Sequence, residues 1–147
     1  MTPIIREAGL ADAAEILDLW KMLHEENGIF PWNEKKAALA VKSCITNGAV
    51  FVAEVDNKIV GMLGVDREQP VYSESECLVD RFGFVHPDYR KSRIAVRLIR
   101  ATLAFARELK MLVFFLLLTP KDTTRKAHLL ARYMRPAGLV FVGGATP

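Results

Sequence analysis

FVHPDYRKSRIAVRLIR, residues 84–100, joins an apolar strand end to a long amphipathic helix through a turn of His86, Pro87, Asp88 and Tyr89. Such a joint is a natural anion site. The amides of a helix's first turn have no internal partners and point outward, and the helix dipole favours negative charge there. Arg90, Lys91 and Arg93 add fixed positive charge at the same place. The competing reading is a capped helix start, with Ser92 as the cap and the RKSR tetrapeptide as a solvated basic turn. Charge alone favours the second.

From Arg93 the helix buries a stripe that includes Ala95, Leu98, Ile99, Thr102, Phe105 and Ala106, and it shows Arg93, Arg97, Arg100 and Arg107 on another face. Beyond the first turn, that arginine face reads as solvated; only Arg93 and Arg97 lie near enough to meet a phosphate. Residues 111–118, MLVFFLLL, are too few for a membrane helix, which needs about 20 apolar residues, and they read as a buried strand ended by Thr119 and Pro120. A strand, a helix and a strand in this order make a right-handed crossover, so the two strands should lie parallel. A last helix over residues 123–135 stops at Pro136 and Gly138, and residues 139–142 supply a final short strand.

Upstream, residues 3–8 read as a first strand. Asp12 and Glu15 form a capping box for a helix over residues 11–26, with Ile16, Leu17, Trp20 and Leu23 at helical spacing. Asn27 and Gly28 close it, residues 29–32 form an apolar loop, and Asn33 opens a second helix that ends at Asn47 and Gly48. Residues 49–55 and 58–65 make a hairpin about Asp56 and Asn57, and residues 76–86 form the strand that leads into the opening stretch.

With 147 residues, 51% of them hydrophobic and 25% charged, the chain fits one globular domain spanning residues 1–147. A net charge of +3 is too small to argue for nucleic acid. Cys44 and Cys77 lie far apart without ligand spacing, so neither a metal site nor a disulfide is expected, and both read as thiols in a reducing compartment. The first ten residues lack the pattern of a secretory signal, which makes a cytoplasmic protein the expectation.

VHPDYR followed by a short loop and an R-L-I-R-A helix resembles the acetyl-CoA pyrophosphate loop of the GNAT family of N-acetyltransferases, in a variant similar to phage and prophage members. The family's loop reads [RQ]-x-x-G-x-[GA]. Here it stands as Arg90, Lys91, Ser92, Arg93, Ile94 and Ala95, with Arg93 in the glycine position. If that position requires a positive φ, the arginine carries a conformational cost; otherwise it adds a phosphate contact. The element order also resembles the family's across almost the whole chain. The resemblance implies an α/β (α+β) fold: a mixed, mostly antiparallel sheet with a central parallel strand pair, helices on both faces, and the usual last strand missing. That strand could come from a partner in a homodimer.

The same resemblance implies acetyl-CoA as co-substrate and no metal. Gly83, Phe84 and Val85 would pair with the pantetheine arm through their backbone. Asp80 would take the proton of the attacking amine, with Glu76 and Glu74 as alternatives. Tyr133 would protonate the departing thiolate, although one residue too many separates it from Gly138 for the family's spacing. The alternative for Asp80 is a carboxylate paired with Arg81 or solvent, and for Tyr133 a packing role. Glu25, Glu26, Phe30 and Trp32 form an acidic, aromatic loop suited to a cationic amine, on a small molecule or a protein. The expected activity is N-acyl transfer from acetyl-CoA to a primary amine by direct attack. Two other readings stand behind it: a non-catalytic member that binds coenzyme A or regulates, and a small basic domain that binds nucleic acid.

Overall fold

The computed structural model describes residues 2–116 and 123–145. Its sheet has five strands in sequence order: β1 (Ile4–Glu7), β2 (Ala49–Val55), β3 (Lys58–Glu68), β4 (Cys77–Val85) and β5 (Val113–Phe114). Neighbours run antiparallel except β4 and β5, which are parallel across the crossover helix α3 (Ile94–Leu109). The β2–β3 turn closes on Asp56 and Asn57, both at positive φ, the conformation that a two-residue hairpin requires and that Asn and Asp tolerate.

Helices cover both faces. On one, α1 (Ala13–Asn27) and α2 (Glu34–Asn47) bring Ile16, Leu19, Val41 and Cys44 against Val52, Met62, Phe82 and Phe84 of the sheet. On the other, Ile94, Leu98 and Ile99 of α3 meet Ala53, Val55, Val60 and Leu63. The last helix, α4 (Thr123–Ala131), leans Leu129 and Leu130 on that second cluster. Gly61 lets α3 approach closely, since a Cβ there would come within 2.9 Å of the Ile94 side chain. Gly64 leaves room for the Phe82 ring, 2.5 Å from where its Cβ would stand.

Several local expectations are corrected. Asp12 forms no capping box with Glu15: it is drawn to Arg6 at 2.9 Å, and Glu15 reaches across to accept from the Ile59 amide at 2.6 Å. Of the strand expected over residues 111–118, the described part forms a ladder at Val113 and Phe114, and residues 117–122 lie outside the described residues. α4 stops at Ala131 rather than at residue 135. Residues 139–142 form no strand; their side chains are 61–88% exposed. Among the described residues, the parallel pair therefore lies at the edge of the sheet. No described helix is long and apolar enough to cross a membrane.

Candidate functional site

β4 and β5 stay together for a very short distance. They pair at Leu78 with Val113 and at Val79 with Phe114, and the Leu78 amide donates to the Leu112 carbonyl. One residue further along β4, the Asp80 Oδ1 accepts a hydrogen bond from the Leu116 amide at 2.9 Å, so a side chain takes over where the backbone ladder ends. Asp80 is half-buried, and burial pushes its carboxyl up to about 6, against the opposing pull of the Leu116 amide and the Arg81 charge. Arg81 is skipped in the β3–β4 register and pairs with Glu68 across the strands instead of neutralising Asp80. Beyond this point, Gly83 is exposed, Phe84 buried and Val85 half-buried. Glu76 pairs with Arg67 at 3.3 Å.

The loop after β4 turns through a short 3-10 segment, Pro87–Tyr89, where the His86 Nδ1 accepts from the Asp88 amide at 3.2 Å. Arg93 is the N-cap of α3 at φ −92°, an ordinary conformation, so the arginine in the glycine position carries no left-handed strain. Ser92, one residue earlier, accepts from the Ile94 amide at 3.3 Å and donates to the Tyr89 carbonyl. The Ala95 and Val96 amides of the first turn have no hydrogen-bond partner among the described residues. Lys91 and Arg93 stand exposed beside them. Arg97 points elsewhere, donating to the Pro3 carbonyl at 2.8 Å. Arg90 is also turned back: its Nε donates to the Val85 carbonyl at 2.9 Å, and a terminal nitrogen meets Glu26 at 2.8 Å.

Above the same strand, the α1–α2 connection builds an aromatic wall. The Trp20 ring lies 4.7 Å from Phe82 of β4 and 5.6 Å, edge-on, from Trp32, with His24 at 5.3 Å from Trp32. His24 also bonds the Phe30 carbonyl at 2.6 Å, which ties the loop to the end of α1. Trp32 donates its indole N–H to Glu34 at 2.8 Å. These residues border a groove of about 390 Å³ whose α2 side carries Lys36, Ala37 and Ala40. Phe30 is 72% exposed at its rim, and Glu25 is exposed on the last turn of α1.

Tyr133 follows α4 in a turn held by bonds from the Tyr133 and Met134 amides to the Leu130 carbonyl. The helical phase of α4 therefore does not dictate where it points. The ring is half-buried against the cluster that includes Val85, Tyr89 and Ile94, and the Arg100 guanidinium lies 5.5 Å from its centre. His24, the Leu116 amide and the pairing of Glu26 with Arg90 escaped the sequence reading. Each acts on a residue distant in the sequence or through a main-chain atom, and neither kind of partner has a sequence signature.

The model of the acetyltransferase (GNAT) family matches residues 16–134. Among solved structures, a ribosomal-protein-alanine N-acetyltransferase from Brucella melitensis biovar Abortus 2308 superposes with a TM-score of 0.75 at 17% identity, over 99% of each chain. An aminoglycoside acetyltransferase from an uncultured soil metagenomic sample gives 0.74 at 21% identity, over 99% of this chain and 96% of that one. A predicted acetyltransferase with acetyl-CoA from Clostridium acetobutylicum gives 0.73 at 14%, over 97% and 96%. Identities this low establish the fold alone. No curated protein matches the sequence.

Proposed function

Because the chain belongs to the acetyltransferase (GNAT) family, we propose that it transfers the acetyl group of acetyl-CoA to a primary amine by direct attack. One observation carries this reading: a half-buried carboxylate, Asp80, stands where β4 and β5 part, with its proton affinity raised toward neutrality. A base titrating near the working pH is ionised enough to accept a proton and basic enough to hold it.

The α3 loop offers donors that fit the anionic end of coenzyme A. Two first-turn amides, Ala95 and Val96, have no partner among the described residues, and Lys91 and Arg93 flank them. The backbone of Gly83, Phe84 and Val85 would receive the pantetheine arm. Acetyl-CoA would supply an activated acyl group whose carbon–sulfur bond breaks as the amine nitrogen bonds to the acyl carbon. Asp80 would take the ammonium proton, held in orientation by the Leu116 amide, and Tyr133 is the candidate to return a proton to the sulfur. Ser92, bonded to both Tyr89 and Ile94, would hold the loop's shape.

On the acceptor side, Phe30 and Trp32 border the groove and Glu25 stands at the end of α1. Several structurally similar proteins are aminoglycoside acetyltransferases, which supports a small-molecule amine as acceptor. The free thiols Cys44 and Cys77 fit a reducing, cytoplasmic setting, and the exposed apolar residues 139–142 fit strand pairing with a second copy of the chain. The test is a titration of acetyl-CoA into the purified protein by calorimetry, followed by an amine screen that reads thiol release. Saturable binding with amine-dependent release supports the reading; folded protein that binds no acetyl-CoA sinks it.

A further inference from the structure

We propose that Arg90 is a positioning residue that clamps the acceptor loop to the cofactor strand, rather than a side-chain ligand of the pyrophosphate. This rests on the acetyl-transfer reading only in what it says about acetyl-CoA; the clamp itself rests on geometry. The guanidinium is committed on three sides. Its Nε donates to the Val85 carbonyl at the end of β4, a terminal nitrogen meets Glu26 at 2.8 Å near the end of α1, and its Cζ lies over the Phe84 ring, 5.0 Å from the ring centre. A planar fork held by a carbonyl, a carboxylate and an aromatic face has little freedom left to swing toward an anion.

The two ends of the clamp belong to opposite sides of the reaction. Val85 and Phe84 lie on the segment proposed to receive the pantetheine arm. Glu26 sits on the last turn of α1, directly before the connection that carries Phe30 and Trp32. His24, one turn of helix from the end of α1, already ties that connection down through the Phe30 carbonyl. Arg90 thus fixes the acceptor groove relative to the strand along which the thioester would lie. In a reaction between two bound substrates, a misplacement of about 1 Å costs rate steeply, and setting that distance is what this contact does. The loop's remaining cations, Lys91 and Arg93, are left to meet the anion.

The chain's only two tryptophans, Trp20 and Trp32, both line the groove, so tryptophan fluorescence excited beyond the tyrosine band reports on that region alone. The test compares wild type, Glu26→Gln, Arg90→Met and the double variant in acrylamide quenching without ligand, and titrates each with desulfo-coenzyme A by calorimetry. The clamp predicts that each single variant raises tryptophan quenching to a similar extent and that the double adds nothing, a coupled cycle. It also predicts that desulfo-coenzyme A affinity changes less than about threefold in both single variants, whereas loss of a direct phosphate contact would cost about tenfold or more. Unchanged quenching, additive effects, or a tenfold loss of affinity confined to Arg90→Met would overturn it. If Arg90→Met fails to fold, Glu26→Gln carries the quenching arm, because it leaves the loop's sequence intact. If wild type binds no desulfo-coenzyme A, the acetyl-transfer reading fails, and the quenching cycle still decides the clamp.

Discussion

The Asp80 carboxylate accepts a hydrogen bond from the Leu116 amide at 2.9 Å, one residue beyond the last backbone pair between β4 and β5. The contact bridges two strands at the point where they part, and it holds a charge in a place that disfavours it. Burial raises the group from an ordinary 3.8 to about 6, so folding disfavours its ionised form. Stability from this group is full below the ordinary value and is lost as pH rises through about 6.

Asp80→Asn is therefore expected to stabilise the fold at pH 7.5 while still accepting from Leu116 through its amide oxygen. The gain is at most about 3 kcal/mol, from roughly two units at 1.36 kcal/mol each. Urea melts of both proteins at pH 7.5 and pH 4 check this: the variant should lead at the higher pH, and the two should converge at the lower.

Asp12 behaves in the opposite sense. Its contact with Arg6 at 2.9 Å holds it down to about 2, so its contribution is present above its ordinary 3.8 and is lost as pH falls through about 2. The Arg6 side chain is 36% exposed, and solvent screening trims the effect. Asp12→Asn should cost about 1 kcal/mol near neutrality, with the deficit shrinking below pH 4 in the same melts.

Arg93→Gly tests the departure from the family's loop pattern. Since Arg93 sits at φ −92°, glycine relieves no strain there and removes a cation beside the first-turn amides. Coenzyme A affinity is expected to fall by about two- to fivefold, the size of one charge at a helix N-terminus, and to fall less at high salt. Calorimetry at two ionic strengths reads both; tighter binding by the glycine variant would contradict the assignment.

Gly64→Val should destabilise by about 1–3 kcal/mol, because a Cβ there would come within 2.5 Å of the Phe82 ring, itself wedged under Trp20. A fall in thermal midpoint with a shift in tryptophan emission is the expected signature.

If residues 139–142 pair with a second copy, sedimentation should show a dimer, and Phe141→Asp, at a side chain 85% exposed, should shift it toward monomer.

Sequence patterning gave access to what depends on local periodicity: the α1 and α3 faces, the hairpin at Asp56 and Asn57, and the crossover that makes β4 and β5 parallel. It failed where a distant charge outbids a local one. Asp12 abandons its own helix for Arg6, and Glu15 reaches the Ile59 amide on β3. The break in the ladder after Phe114 was equally hidden, since residues 111–116 have strand composition throughout, and pairing depends on the neighbouring strand. At the candidate site, motif matching singled out the loop from Arg90 to Ala95 and the strand residue Asp80 as expectations. It could not foresee that Arg90 folds back onto Val85 and Glu26, because that contact joins residues 64 positions apart.

The central claim is that Asp80 accepts the proton in acetyl transfer to an amine. The most direct measurement is amine-dependent thiol release from acetyl-CoA by wild type and Asp80→Asn between pH 5 and pH 8. The wild-type rate should rise through an apparent pKa of about 6, and the variant, checked to be folded by its urea melt, should be slower by about a hundredfold or more. A variant as active as wild type, or a wild-type rate with no rise across that range, would contradict it.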